Sequence, residues 1–267
     1  MRPFKTLFGG LVAAQIAYAR VPGRRRPAAT RGIVALLLAT SAAEAVGARG
    51  GPIAGRLLGS AAAVGFGAEQ LGVRTGYPFG RYRYGPGLGP KAGAVPLLAA
   101  AAWAMMARPA WTVAGTIDRR PSRRVPLAAA ALTAWDVFLD PRMVREGYWT
   151  WAASGRFEDV PATNFAGWLV TSLALFSMWT AMDGDDDPRV DGDGALALYT
   201  WTWLGETFAN VAIWRRPRVA AAGGLAMGAF AAPALARRFR GATHAEPLLA
   251  DPAPRIAGAE GTAAAGA

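Results

Sequence analysis

Residues 92–117 read AGAVPLLAAAAWAMMARPAWTVAGTI, 26 residues with a single charged side chain, Arg108. As a helix rising about 1.5 Å per residue this run would span about 39 Å, more than the roughly 30 Å hydrocarbon core of a bilayer. Runs of the same kind recur on either side of it, at Phe4–Ala19, Gly32–Ala48, Ile53–Val73, Val125–Asp140, Asn164–Met182, Gly194–Trp214 and Val219–Ala236. Eight apolar segments separated by Arg-rich or Pro/Gly-rich connectors predict an all-α fold, a polytopic integral membrane helical bundle of about seven or eight transmembrane helices. The expected setting is a multi-pass protein of the cell membrane, with the lipid bilayer as its surroundings.

Residues 1–240 are expected to form one transmembrane helical domain. Residues 241–267 are Ala, Gly and Pro without helical periodicity, and read as a disordered tail. The first segment, with Arg2 and Lys5 at its start and Ala17-Tyr18-Ala19 at its end, also fits a cleavable signal sequence. The segment before Pro141 is short, so it is expected either to tilt or break, or to continue into Met143–Trp149.

Composition narrows the chemistry. In 267 residues, 53% hydrophobic and 18% charged, 29 Lys and Arg outnumber 18 Asp and Glu for a net charge of +11. The basic residues crowd the connectors, where they meet anionic headgroups, and form no aromatic-interleaved stripe for nucleic acid. The chain has no Cys and one His, His244, in the tail. Thiolate catalysis, iron–sulfur clusters, haem and His-rich metal sites therefore have no ligands to draw on. The glycine runs lack both the dinucleotide and the P-loop patterns, and the acidic stretch Asp183-Gly184-Asp185-Asp186-Asp187 lacks the Gly and Glu that a calcium loop needs. The expectation is a protein with no metal and no cofactor.

Ionisable residues inside apolar segments are costly in lipid, roughly 2.5–3.5 kcal/mol each on insertion scales, so each requires a reason. Here they are Glu44, Glu69, Arg108, Asp136, Glu206 and, at a segment end, Asp140. Asp136 falls near mid-depth, and its plain structural alternative is a packing pair with Arg108. Asp140 follows at i+4 on the same helical face, although Asp140-Pro141 also reads as a cap opening a new helix. Glu69 opens a connector with Tyr77, Tyr82, Tyr84 and many glycines, which is either an interfacial aromatic belt or a lid at a cavity mouth. Glu206 and Asn210 share a face and suit an interhelical hydrogen bond. Glu44, nearer an edge, could snorkel to the interface.

The stretch Glu69–Pro90, then Val95-Pro96-Leu97, Trp103–Ala110, Ala134-Trp135-Asp136-Val137-Phe138-Leu139-Asp140-Pro141-Arg142-Met143-Val144 and Asn164-Phe165-Ala166-Gly167-Trp168-Leu169, in this order, resembles the carotenoid hydratase family. Its members include the carotenoid 1',2'-hydratases and the bisanhydrobacterioruberin hydratases. The resemblance runs from about Gly32 to Arg238. It implies a membrane enzyme of carotenoid biosynthesis that adds water across the terminal isoprenoid double bond of an acyclic C40 or C50 carotenoid, giving a tertiary alcohol. It also implies a hydrophobic carotenoid substrate and the company of other membrane enzymes of the pathway.

The residues suit that chemistry on their own terms. Hydrating an unactivated trisubstituted alkene takes a proton donor, a shelter for a tertiary carbocation and one placed water. A carboxylic acid enclosed by apolar groups can keep its proton near neutrality, so Asp136 is the expected donor. Asp140 or Glu69 would take the proton from water. Trp135, Tyr82, Tyr84 and Trp168 would face the cation, and Asn164 and Glu206 would complete the substrate site. Two other readings share some of these features. The Asp136-x-x-x-Asp140 pair resembles half of a membrane prenyltransferase's diphosphate apparatus, and intramembrane carboxylates also suit a non-catalytic carotenoid-binding or transport protein.

Overall fold

The computed structural model describes residues 2–182 and 193–243, without the side chains of the last three. Eight helices occupy the places of the eight apolar segments: α1 (Arg2–Tyr18), α2 (Arg26–Arg49), α3 (Gly51–Thr75), α4 (Leu97–Ile117), α5 (Pro121–Arg145), α6 (Ala162–Met182), α7 (Asp193–Phe208) and α8 (Pro217–Thr243). Four short strands, β1 (Tyr82–Tyr84), β2 (Lys91–Ala92), β3 (Val95–Pro96) and β4 (Trp149–Trp151), pair as β1 with β4 and β2 with β3, both antiparallel. The fold is all-α, and three of its helical stretches, Gly23–Arg49, Ala162–Met182 and Pro217–Arg240, are long and apolar enough to cross a membrane.

The segment that opened the sequence reading forms the centre. Every residue of α4 from Trp103 to Gly115 is buried, as expected of a helix apolar on all sides. It packs against α2, α3, α5, α7 and α8, while α6 closes over α5 and α3, and α1 lies on α2. The helix begins at Leu97, not at Ala92: Gly93, at φ +61°, turns the chain between β2 and β3, and Pro96 precedes the first turn.

Of the alternatives open for α5, the structure shows continuation: the helix runs unbroken through Pro141 to Arg145, so Asp140 does not cap a new helix. A proline this near the end forfeits one backbone bond. The amides of Glu146 and Tyr148 close the end on the carbonyls of Arg142 and Met143, each at 2.9 Å, and Arg216 caps the Pro141 carbonyl at 3.2 Å. α8 continues to Thr243, three residues into the stretch read as a tail. The acidic stretch 183–187, His244 and the remaining tail lie outside the described residues.

Candidate active site

The buried face of α3 carries Ala61, Gly65, Glu69 and Gly72, so three small side chains flank one carboxylate. Gly65 lets the Trp103 indole lie directly on the backbone; a Cβ there would overlap the ring. At Gly72 a Cβ would stand 2.8 Å from Phe79 and 2.9 Å from the Tyr82 hydroxyl. α3 ends on Gly76 in the left-handed region (φ +83°), which turns the chain back over the helix. β1 then passes above Glu69 with Tyr82 and Tyr84 on one face, as strand alternation requires, and pairs with β4 in the register Tyr82↔Trp151 and Tyr84↔Trp149.

Glu69 is held by three donors. The hydroxyls of Tyr82 and Tyr84 both donate to Oε2, the latter at 2.8 Å, and Trp103 Nε1 donates to Oε1 at 3.3 Å. Burial first, then the neighbouring Glu69 charge, pushes the Tyr82 and Tyr84 hydroxyls well above the usual tyrosine range, so both stay protonated donors.

Opposite, α5 presents Asp136 and Asp140 one turn apart, and α6 supplies Asn164. The Asn164 amide nitrogen donates to Asp136 Oδ2 at 2.7 Å and also to Asp140 Oδ2. The Trp149 indole reaches Asp140 as well. Asp136 is wholly buried, and its Oδ1 accepts no hydrogen bond among the described residues.

Between these groups lies a cavity with mostly apolar walls. Glu69, Asp140 and Asn164 face it, with Tyr82, Tyr84, Trp103, Trp149, Trp151 and Trp168 around them. Trp103 and Trp168 stack at 4.0 Å with their planes 11° apart, and Trp135 meets Trp168 edge-on at 6.0 Å. The β1–β4 pair is thus a lid over the cavity, the second of the two readings open for the Tyr-rich connector.

Six of the residues singled out from the sequence, Glu69, Tyr82, Tyr84, Asp140, Asn164 and Trp168, share this cavity. The other three stand elsewhere. Asp136 lies behind the wall, touching the site through Asn164, and Trp135 and Glu206 line a neighbouring cavity. Glu206 there meets Arg142 at 3.4 Å, and Asn210 Nδ2 bonds the Glu206 carbonyl, within one helix and not between two. The proposed pairing of Asp136 with Arg108 does not occur: Arg108 binds Glu44 through Nε at 2.6 Å and Nη2 at 3.1 Å. Nor does Glu44 snorkel, since it is buried in that pair.

Trp103 enters the sequence reading only within the family resemblance, and Trp149 and Trp151 are not singled out there as site residues. The signal for the last two was present: Trp149-Thr150-Trp151 repeats the aromatic–polar–aromatic alternation of Tyr82-Arg83-Tyr84, the mark of two strands that share an aromatic face.

The fold thus sets two carboxyl groups, Glu69 and Asp140, on one cavity walled by indoles and phenols. The chain belongs to the family of carotenoid biosynthesis proteins, whose sequence pattern matches residues 32–230. It is also similar to the bisanhydrobacterioruberin hydratase of Haloarcula japonica, 34% identical over 111 residues, or 40% of this chain and 38% of that one. The match thus covers well under half of that relative's length. No solved structure matches the chain.

Proposed function

We propose that the protein is a cofactor-free hydratase of carotenoid biosynthesis, a multi-pass protein of the cell membrane acting on the terminal isoprenoid double bond of an acyclic C40 or C50 carotenoid. The observation that carries this reading is the pairing, across one apolar cavity, of Glu69, held by three donors, with Asp140, which shares a single amide donor with the buried Asp136 behind it. All eight helices are assigned to the bilayer, in keeping with apolar side chains such as Leu225, Phe208 and Val170 turned outward.

The two carboxyl sites suit opposite halves of a hydration. Glu69 receives three hydrogen bonds and donates none, the arrangement of an ionised base. Asp136 and Asp140 share one amide donor, and two carboxyl groups this close are best accommodated with one proton between them. Asp140 faces the cavity, so the proton leaves from Asp140 while Asp136 backs it through Asn164. The alkene π pair takes that proton at the CH carbon, and the positive charge falls on the dimethyl carbon. The rings of Tyr82, Tyr84, Trp103 and Trp168 offer it their π faces. Water bonds to that carbon and gives a proton to Glu69, leaving a tertiary alcohol, and proton return from Glu69 to Asp140 resets the site.

The test is expression in a host that accumulates lycopene and in one that accumulates an acyclic C50 precursor, followed by mass spectrometry of the pigments. A gain of about 18 Da per modified end is the mass of one water and is the expected result. Unchanged pigment masses in both hosts, with the protein present in the membrane, would reject hydration in favour of binding or transport.

A further inference from the structure

A second, larger cavity lies between α1, α2, α5 and α7. It shares five lining residues with the carboxylate cavity, Thr30, Val34, Met105, Leu139 and Met143, so one layer of side chains divides the two. Four of the five are apolar, and the two methionines are unbranched and able to change shape around a ligand.

Most polar groups on its wall have protein partners, while the buried Trp214 Nε1 has none among the described residues. Arg142 pairs with Glu146 at 3.3 Å and Glu206 at 3.4 Å, and Trp201 Nε1 donates to Gln15 at 2.6 Å. What they leave to a ligand is chiefly hydrocarbon and indole surface. The rim is apolar too: Ile16, Phe208 and Ile213 line the cavity yet are 56%, 65% and 40% exposed. Their side of the molecule is where α7 gives way to a π-helical turn, Ala209–Ile213, a distortion that recurs at functional positions.

We propose that this second cavity is the bay for the hydrocarbon chain of a long isoprenoid ligand, entered sideways between α1 and the π turn. The ligand's reacting end passes the Met105–Leu139–Met143 partition into the carboxylate cavity. The proposal rests on the hydratase reading for the identity of the ligand, though not for the existence of the bay.

Gly205 gives the test its handle. It lines the bay, and a Cβ there would stand 3.7 Å from Trp201, an ordinary contact, so a phenylalanine ring would fit the helix and fill the bay. The purified full-length chain in detergent is titrated with lycopene, and saturable binding is read from the polyene absorption band. Gly205→Phe should weaken binding at least tenfold. Ile16→Trp, at the exposed rim and free of packing burden, should slow loading at least threefold and serves if Gly205→Phe does not fold. Wild-type affinity and loading rate in these variants, or no saturable binding by the wild type, would overturn the bay. A wild type that binds lycopene, with Gly205→Phe binding weakly, while neither lycopene nor an acyclic C50 precursor gains water, would keep the bay and reject the hydratase.

Discussion

Asp136 and Asp140 lie one helical turn apart and accept hydrogen bonds from the same Asn164 nitrogen, yet only Asp140 reaches the cavity. Their roles should therefore separate on mutation. Asp140→Asn removes the proton that must reach the alkene, and turnover should fall at least about 100-fold, the usual weight of a general acid. Asp136→Asn keeps the shape of the wall but withdraws the second carboxyl. It should cost less and act on kcat with KM little moved, since it disturbs the donor without touching the ligand. Turnover near wild type in Asp140→Asn, measured by pigment mass, would remove Asp140 as the acid.

The hydroxyls above Glu69 give a prediction with a pH sign. Tyr82 and Tyr84 are pushed above the usual tyrosine range, by burial most and by the Glu69 charge next. A raised pKa favours the protonated phenol in the folded state, so its stabilising effect is complete below the unfolded value of about 10 and is lost only as pH rises beyond it. Thermal stability should thus show no tyrosine-linked decline below about pH 10. Tyr84→Phe, which keeps the ring and removes one donor to Glu69 at 2.8 Å, should lower turnover about tenfold, the order of one hydrogen bond to a charged group. A tyrosinate absorption band appearing well below pH 10 in the folded protein would contradict the assignment.

The fold was largely legible because a helix in an apolar setting leaves a mark in composition: each of the eight segments became a helix. Ends were less legible. Arg26 and Arg49 are polar residues that belong to α2 as much as its apolar middle does, and hydropathy cannot see them. Asp140-Pro141 carries a local signal for a helix start, and the packing of α5 under α6 overrode it. The site divided in the same way. Glu69, Asp140 and Asn164 announced themselves as polar groups in apolar surroundings. The bond between Glu44 and Arg108, 64 residues apart, arises only when distant segments meet, which no periodicity records, while the pairing of Trp149 with Tyr84 left in the sequence only the alternation on each strand.

Two glycines of α3 separate packing from propensity. Gly65 has the Trp103 indole against it, while Gly67 has nothing within 4 Å of where a Cβ would stand. Gly65→Ala should destabilise the protein by about 1–3 kcal/mol through overpacking. It should also reduce turnover, because Trp103 would be pushed off both Glu69 and the Trp168 stack. Gly67→Ala should raise stability, by up to about 1 kcal/mol, since alanine is the better helix former. Melting temperatures of the two variants in the same detergent check this, and equal shifts would show that Trp103 does not depend on the gap at Gly65.

The pair between Glu44 and Arg108 ties α2 to the central helix at 5% and 1% side-chain exposure respectively. Burying two charges forfeits so much hydration that their mutual attraction does little more than offset it, whereas burying one alone leaves that loss uncompensated. Arg108→Met should accordingly cost about 3–5 kcal/mol, as should Glu44→Leu. The double variant should recover most of that loss, because two apolar side chains then meet where two charges met. Glu44 and Phe4 both lie close to Gly194, so leucine at position 44 would meet small and apolar surroundings there. Denaturation of the four proteins in one detergent gives the coupling directly. Losses that simply add would mean that the two residues act separately, and that α2 is held to α4 by the packing around the pair instead.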